Sequence, residues 1–94
     1  GAHSLEKILA THANQFIGIV GKEKVVNTFS HPVVVEVIPE ARSSISRSIV
    51  ALGGAPELRI GKQSDHGNDL LDVYHLNLIE PYQLEEQLTV IVND

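Results

Sequence analysis

The sequence predicts an α+β fold: an antiparallel sheet with two helices on one face, preceded by a short helix–strand unit. Three observations predict it. The β-branched run at residues 33–38 (VVVEVI) has strand composition. Ala41, Ile45, Ile49 and Leu52 recur on one face of a helix. Residues 57–62 (ELRIGK) alternate as a half-buried strand does, just before a turn-forming stretch at 64–68 (SDHGN). The order over residues 32–94 is strand–helix–strand–strand–helix, an arrangement that calls for one further strand.

Taken in order, Leu5, Ile8, Leu9, His12 and Phe16 fall at helical spacing and predict an amphipathic helix from residue 4 to about 14. Residues 16–20 (FIGIV) read as a short buried strand, followed by a polar turn at 21–24 (GKEK) and a connector ending at His31-Pro32. In the next strand Glu36 interrupts the valines, which points it to the uncovered face of the sheet. Pro39-Glu40 suits a first helical turn, and Gly53-Gly54 ends the helix where a left-handed residue is wanted. Because this glycine pair closes a helix instead of opening one, it is no phosphate cradle. Residues 70–78 complete a hairpin, and Pro81 opens a last helix with Leu84, Leu88, Ile91 and Val92 on one face.

With 94 residues the chain makes one small domain, whose core is modest unless it pairs with something. It has no cysteine, so neither disulfides nor a thiolate zinc site supplies stability, a composition that suits the cytoplasm. The net charge of −5 is dispersed, whereas a nucleic-acid surface needs clustered Lys and Arg. No apolar run approaches the roughly 20 residues that span a bilayer, so neither nucleic acid nor membrane is expected as a partner. The start at Gly1 and the stop at Asp94, directly after an apolar run, read as cut ends of a longer protein. His3, His12, His31, His66 and His75 are scattered without ligand spacing, so no metal is expected. Ser64-Asp65-His66 has triad residue types, but neighbours in sequence do not make a triad, and the segment reads as hairpin-turn chemistry.

Several motifs occur together in one order: Val35-Glu36-Val37-Ile38-Pro39, Ala41-Arg42, then Leu52-Gly53-Gly54-Ala55-Pro56-Glu57-Leu58-Arg59. Ser64-Asp65-His66-Gly67-Asn68-Asp69-Leu70-Leu71-Asp72 and Ile79-Glu80-Pro81 follow. The series resembles the lid region of type A ribose-5-phosphate isomerases, and Glu6-Lys7-Ile8 with Phe16-Ile17 extend the resemblance upstream over nearly the whole chain. It implies that residues 1–28 are the C-terminal piece of an α/β catalytic core and that 32–94 form a lid domain. The implied activity is interconversion of ribose 5-phosphate and ribulose 5-phosphate, in the non-oxidative pentose phosphate pathway, without cofactor or metal. A cytoplasmic homo-oligomer acting on a sugar phosphate is the implied setting, and a piece of such an enzyme is expected to be inactive alone.

That reaction moves a proton between C1 and C2 through an enediolate, which needs one base able to reach both carbons. The resemblance puts the base at Glu6 and a substrate-contacting lysine at Lys24, where Gly21-Lys22-Glu23-Lys24 replaces the family's D-x-(S/T)-K turn. By pattern alone, Glu6 is an early-helix acid complementing the dipole and Lys24 an ordinary turn lysine. Arg42, Arg47 and Arg59 read as solvated, or as facing a partner subunit or core domain. The alternative to the isomerase is a non-catalytic assembly or ligand-binding module built on the same fold, since such a scaffold hosts many functions.

Overall fold

The valine-rich run forms the middle of a five-stranded sheet. The computed structural model describes residues 5–20, 32–76, 78 and 86–93. β1 (Leu5–Thr11) leads into helix α1 (Ala13–Ile19), and β2 (Val33–Val37) into a 3-10 turn (Pro39–Ala41) and helix α2 (Arg42–Ala51). β3 (Ala55–Gln63), β4 (Asp69–Tyr74) and β5 (Glu86–Val92) follow. The sheet order is β1-β5-β2-β4-β3. β5 runs parallel to both β1 and β2, while β2/β4 and β4/β3 are antiparallel.

The α+β class stands, but the sheet is mixed instead of wholly antiparallel, and of the two helices on its face only α2 is one of the predicted pair. Val33, Val35 and Val37, Leu71 and Val73, and Leu88, Val90 and Val92 point to that face and pack on Phe16, Ile45 and Ile49. Each such side chain contributes about 2 kcal/mol on burial. The alternate residues Val34, Glu36, Leu70, Thr89 and Ile91 point to the other face, which no helix among the described residues covers.

Three elements differ from the reading of the sequence. Residues 5–11, expected to be helical, form strand β1, paired in register from Leu5↔Glu86 to Thr11↔Val92. A segment this short fits both periods, and an isolated helix of its length is marginal in water, so pairing with β5 decides. Residues 16–20, expected as a strand, fall mostly in α1. Phe16 (0 % exposed) and Val20 (2 %) are buried four residues apart while Ile17 (40 %) faces solvent, a helical period. Gln15 supports the start of α1, its Oε1 accepting from the Thr11 hydroxyl (3.1 Å) and the His12 backbone N (3.4 Å).

The expected last helix is strand β5 over its described part. Leu88, Val90 and Val92 are buried in the core, while Gln87, Thr89 and Ile91 take the opposite face. The β-branched series Thr89–Val92 favours a strand, and this strand is the further one the element order called for. Pro81 and Leu84, like the motif end at 79–81, lie outside the described residues.

The second hairpin strand, expected over 70–78, ends at Tyr74, and His75 leaves it at φ 62°, while the helix start, the helix stop and the hairpin turn are as expected. Pro39 opens the helical segment and Gly53 ends it at φ 93°. The 64–68 segment is a tight turn: Ser64 N donates to Asn68 O (2.9 Å), Gly67 N to Ser64 O (2.9 Å), and Gly67 takes φ 78°. A register shift between Leu58 and Gln63 bulges the edge strand β3.

Candidate functional site: a groove on the open face of the sheet

With both helices on one side, the opposite face of the sheet forms an open groove of about 440 Å³. Its floor comes from Val34 and Glu36 of β2, Leu70 of β4, and Thr89 and Ile91 of β5. Glu6 and Ile8 of β1, with Gln87, form one wall. The opposite wall is Arg59 of β3 and the turn residues Ser64, Asp65 and His66. A volume of this size holds a small metabolite, since ligand pockets run from about 300 to 1,000 Å³.

Glu6 owes its position to β1. As a strand residue directly across from Gln87, it points to the open face, whereas Lys7 pairs with the core residue Leu88 and points the other way. Gln87 is held by its own amide, whose Nε2 donates to Pro32 O (2.8 Å) and to Leu88 O (3.3 Å). Reading residues 81–92 as a helix hid Gln87 and Thr89 from the sequence-based site. Their polar–apolar alternation with Leu88 and Val90 was the signal that would have found them.

Glu36 does point to the uncovered face, as its place among valines predicts, yet it is only 8 % exposed. Its Oε2 accepts from Asn68 Nδ2 (2.9 Å) and lies 4.0 Å from His66 Nδ1. Glu6 and Glu36 stand at different ends of the groove: register puts Glu36 beside Ile91, four residues along from Gln87 and two strands across from β1, which makes their Cα separation about 16 Å.

Arg59 is not left to solvent alone. It closes a two-pronged bond on Asp72, with Nε donating to Oδ2 (2.8 Å) and an Nη to Oδ1 (2.7 Å). The Asp72 hydrogen bonds raise the Arg59 pKa above its ordinary value, against a smaller opposing effect of burial. Arg42 donates to Asp69 (3.3 Å), tying the start of α2 to the start of β4. Lys24 lies outside the described residues. Ser64, Asp65 and His66 act as turn residues, with the Ser64 hydroxyl accepting from the backbone N of His66 (3.3 Å) and Asn68 (3.1 Å). Among the described residues no group of three His, Cys, Asp or Glu could hold a metal ion, and no helix is long and apolar enough to cross a membrane.

The family described as ribose 5-phosphate isomerase A (phosphoriboisomerase A) matches residues 1–93. A ribose-5-phosphate isomerase A of Legionella pneumophila (strain Corby) is 53% identical over 92 residues, covering 97% of this chain and 43% of that protein. One from Blochmanniella floridana is 46% identical over 93 residues, covering 97% and 42%. Among solved structures, ribose 5 phosphate isomerase A from Neisseria gonorrhoeae superposes with a TM-score of 0.52 at 34% identity, over 79% of this chain and 30% of that one. The chain thus spans less than half the length of the curated relatives it matches.

Proposed function

The chain belongs to the ribose 5-phosphate isomerase A family, and from that premise we propose that it forms the C-terminal part of an aldose–ketose isomerase. The substrates are ribose 5-phosphate and ribulose 5-phosphate, the setting the non-oxidative pentose phosphate pathway of the cytoplasm, and the working form a homo-oligomer. Residues 1–28 belong to the catalytic part and 32–94 to the lid. Because β1 pairs with β5, this division is one of roles within a continuous sheet.

The observation that carries the reading is the position of Glu6, exposed in the wall of a groove of metabolite size. Its carboxylate takes the proton from C2 of the ring-opened aldose, leaving an enediolate, and returns a proton to C1, while a proton passes from the C2 to the C1 oxygen. Charge grows on those oxygens, so donors are needed beside them. Lys24 is the substrate-contacting cation, a point charge suited to a phosphate or sugar oxygen. No metal or cofactor takes part in this scheme.

Of the basic side chains described in the groove, Arg59 is already held by Asp72 and His66 is exposed. The isolated 94 residues should therefore give no turnover with ribose 5-phosphate. The base role is tested in a chimera in which this segment replaces the matching stretch of the Legionella relative. There Glu6→Gln should lower kcat by about a thousandfold, with KM within about threefold, because it removes the base and keeps the shape. Turnover by the isolated chain, or retained kcat in the variant chimera, contradicts the proposal.

A further inference from the structure

We infer that Glu36 is a positioning residue: it holds the 64–68 turn in place as a wall of the open-face groove, through Asn68 and, once its ring is protonated, through His66. A carboxylate in a strand of valines is costly unless its oxygens are engaged, and any β-branched residue would suit the strand better. Glu36 is 8 % exposed, and the group engaging it belongs to the turn: Asn68 Nδ2 at 2.9 Å.

Asn68 is also where the turn is closed. Its carbonyl accepts from Ser64 N (2.9 Å) and its backbone N donates to the Ser64 hydroxyl (3.1 Å), so fixing the Asn68 side chain fixes the whole loop. Ser64, Asp65 and His66 then face the groove as a unit.

His66 adds a conditional contact. Its Nδ1 lies 4.0 Å from Glu36 Oε2, and the ring is 83 % exposed. The attraction to Glu36 exists only when the ring carries its proton. The other charges around the pair are Asp65 in the turn, Arg59 of β3 with its partner Asp72 of β4, and Glu6 across the groove on β1. Asp69 of β4 is taken by Arg42. The exposed ring makes the histidine contact the weaker of the two, and the asparagine contact the constant one.

The first test uses the 94-residue chain and is independent of the isomerase reading. NMR follows the Asn68 side-chain amide and the turn backbone amides. Glu36→Gln, which keeps an acceptor for Asn68, should hold the resonance position; Glu36→Leu should lose it. An Asn68 amide unchanged in Glu36→Leu overturns the inference.

The second test rests on the isomerase reading and uses the chimera. Glu36→Leu should raise KM for ribose 5-phosphate by about tenfold with kcat within about threefold, and Glu36→Gln should restore KM to within about threefold. Asn68→Leu, which leaves the strand untouched, should reproduce the KM rise should Glu36→Leu not fold. A uniform loss of kcat with KM unmoved in Asn68→Leu overturns the positioning role. A chimera inactive without any substitution refutes the isomerase reading instead, and the NMR result then decides the role of Glu36 alone.

Discussion

Arg59 and Asp72 meet in a fork geometry that lysine cannot reproduce, because only a guanidinium offers two parallel donors to one carboxylate. Both side chains are partly exposed, so solvent limits what the pair contributes to stability. A double-mutant cycle with Arg59→Ala and Asp72→Ala should give a coupling of about 1 kcal/mol by urea denaturation, weakened by salt, and Arg59→Lys should keep less than half of it. A coupling indistinguishable from zero would show that the fork adds nothing to stability. At this scale the sequence was partly legible. Glu36 among valines announced an open face, and the spacing of Glu57 and Arg59 put them on one side of β3. Which acid Arg59 would choose was not legible, because Asp65, Asp69 and Asp72 all follow it closely and only strand register selects Asp72.

At the scale of the element, the α2–β3 junction shows two glycines required for different reasons. Gly53 has φ 93°, a conformation that costs any side chain strain. Gly54 is needed for space: an added Cβ would stand 2.7 Å from Ile49 Cγ2 and 3.3 Å from the Ile49 carbonyl oxygen. Gly54→Ala should therefore destabilise the chain by about 1–3 kcal/mol, measured by chemical denaturation. In an Ile49→Ala background, where that methyl is gone, the same substitution should cost less. Additive costs would mean that the close approach to Ile49 is not the cause. The sequence foresaw the helix stop at this pair, but not the division of labour, which depends on how closely α2 lies over β4. Likewise Leu5, Ile8 and Leu9 marked an apolar element without saying which kind, since a seven-residue segment fits a helix or a strand until its partner is known.

For the whole molecule, the sheet order makes β5 the hinge of the fold. It joins β1 to β2 and buries Leu88, Val90 and Val92, whereas β1 is the edge strand of the sheet among the described residues, with β5 as its neighbour. Edge strands open more readily than central ones. Backbone amide hydrogen exchange should thus be slowest in β2 and β5 and faster in β1, and Val90→Asp should unfold β1 and β2 together. Equal protection of β1 and β5 would contradict this order. The groove has the same dependence: Glu6 and Gln87 come from opposite ends of the chain and meet only because β1 and β5 pair.

The sequence by itself determined the elements with strong local signals: the valine strand, the helix between Pro39 and Gly53, and the hairpin around its Asp-His-Gly-Asn turn. It also carried the motif series that ties the chain to its family. Tertiary structure alone decided whether residues 5–20 and 86–92 became helix or strand, and which residues share the open face. The physical reason is that local periodicity specifies an element only where one period fits better than the other. Over residues 5–11 the two fit alike, over 86–92 the helical spacing of Leu84, Leu88, Ile91 and Val92 competed with the strand alternation, and pairing of β1 with β5 settled both.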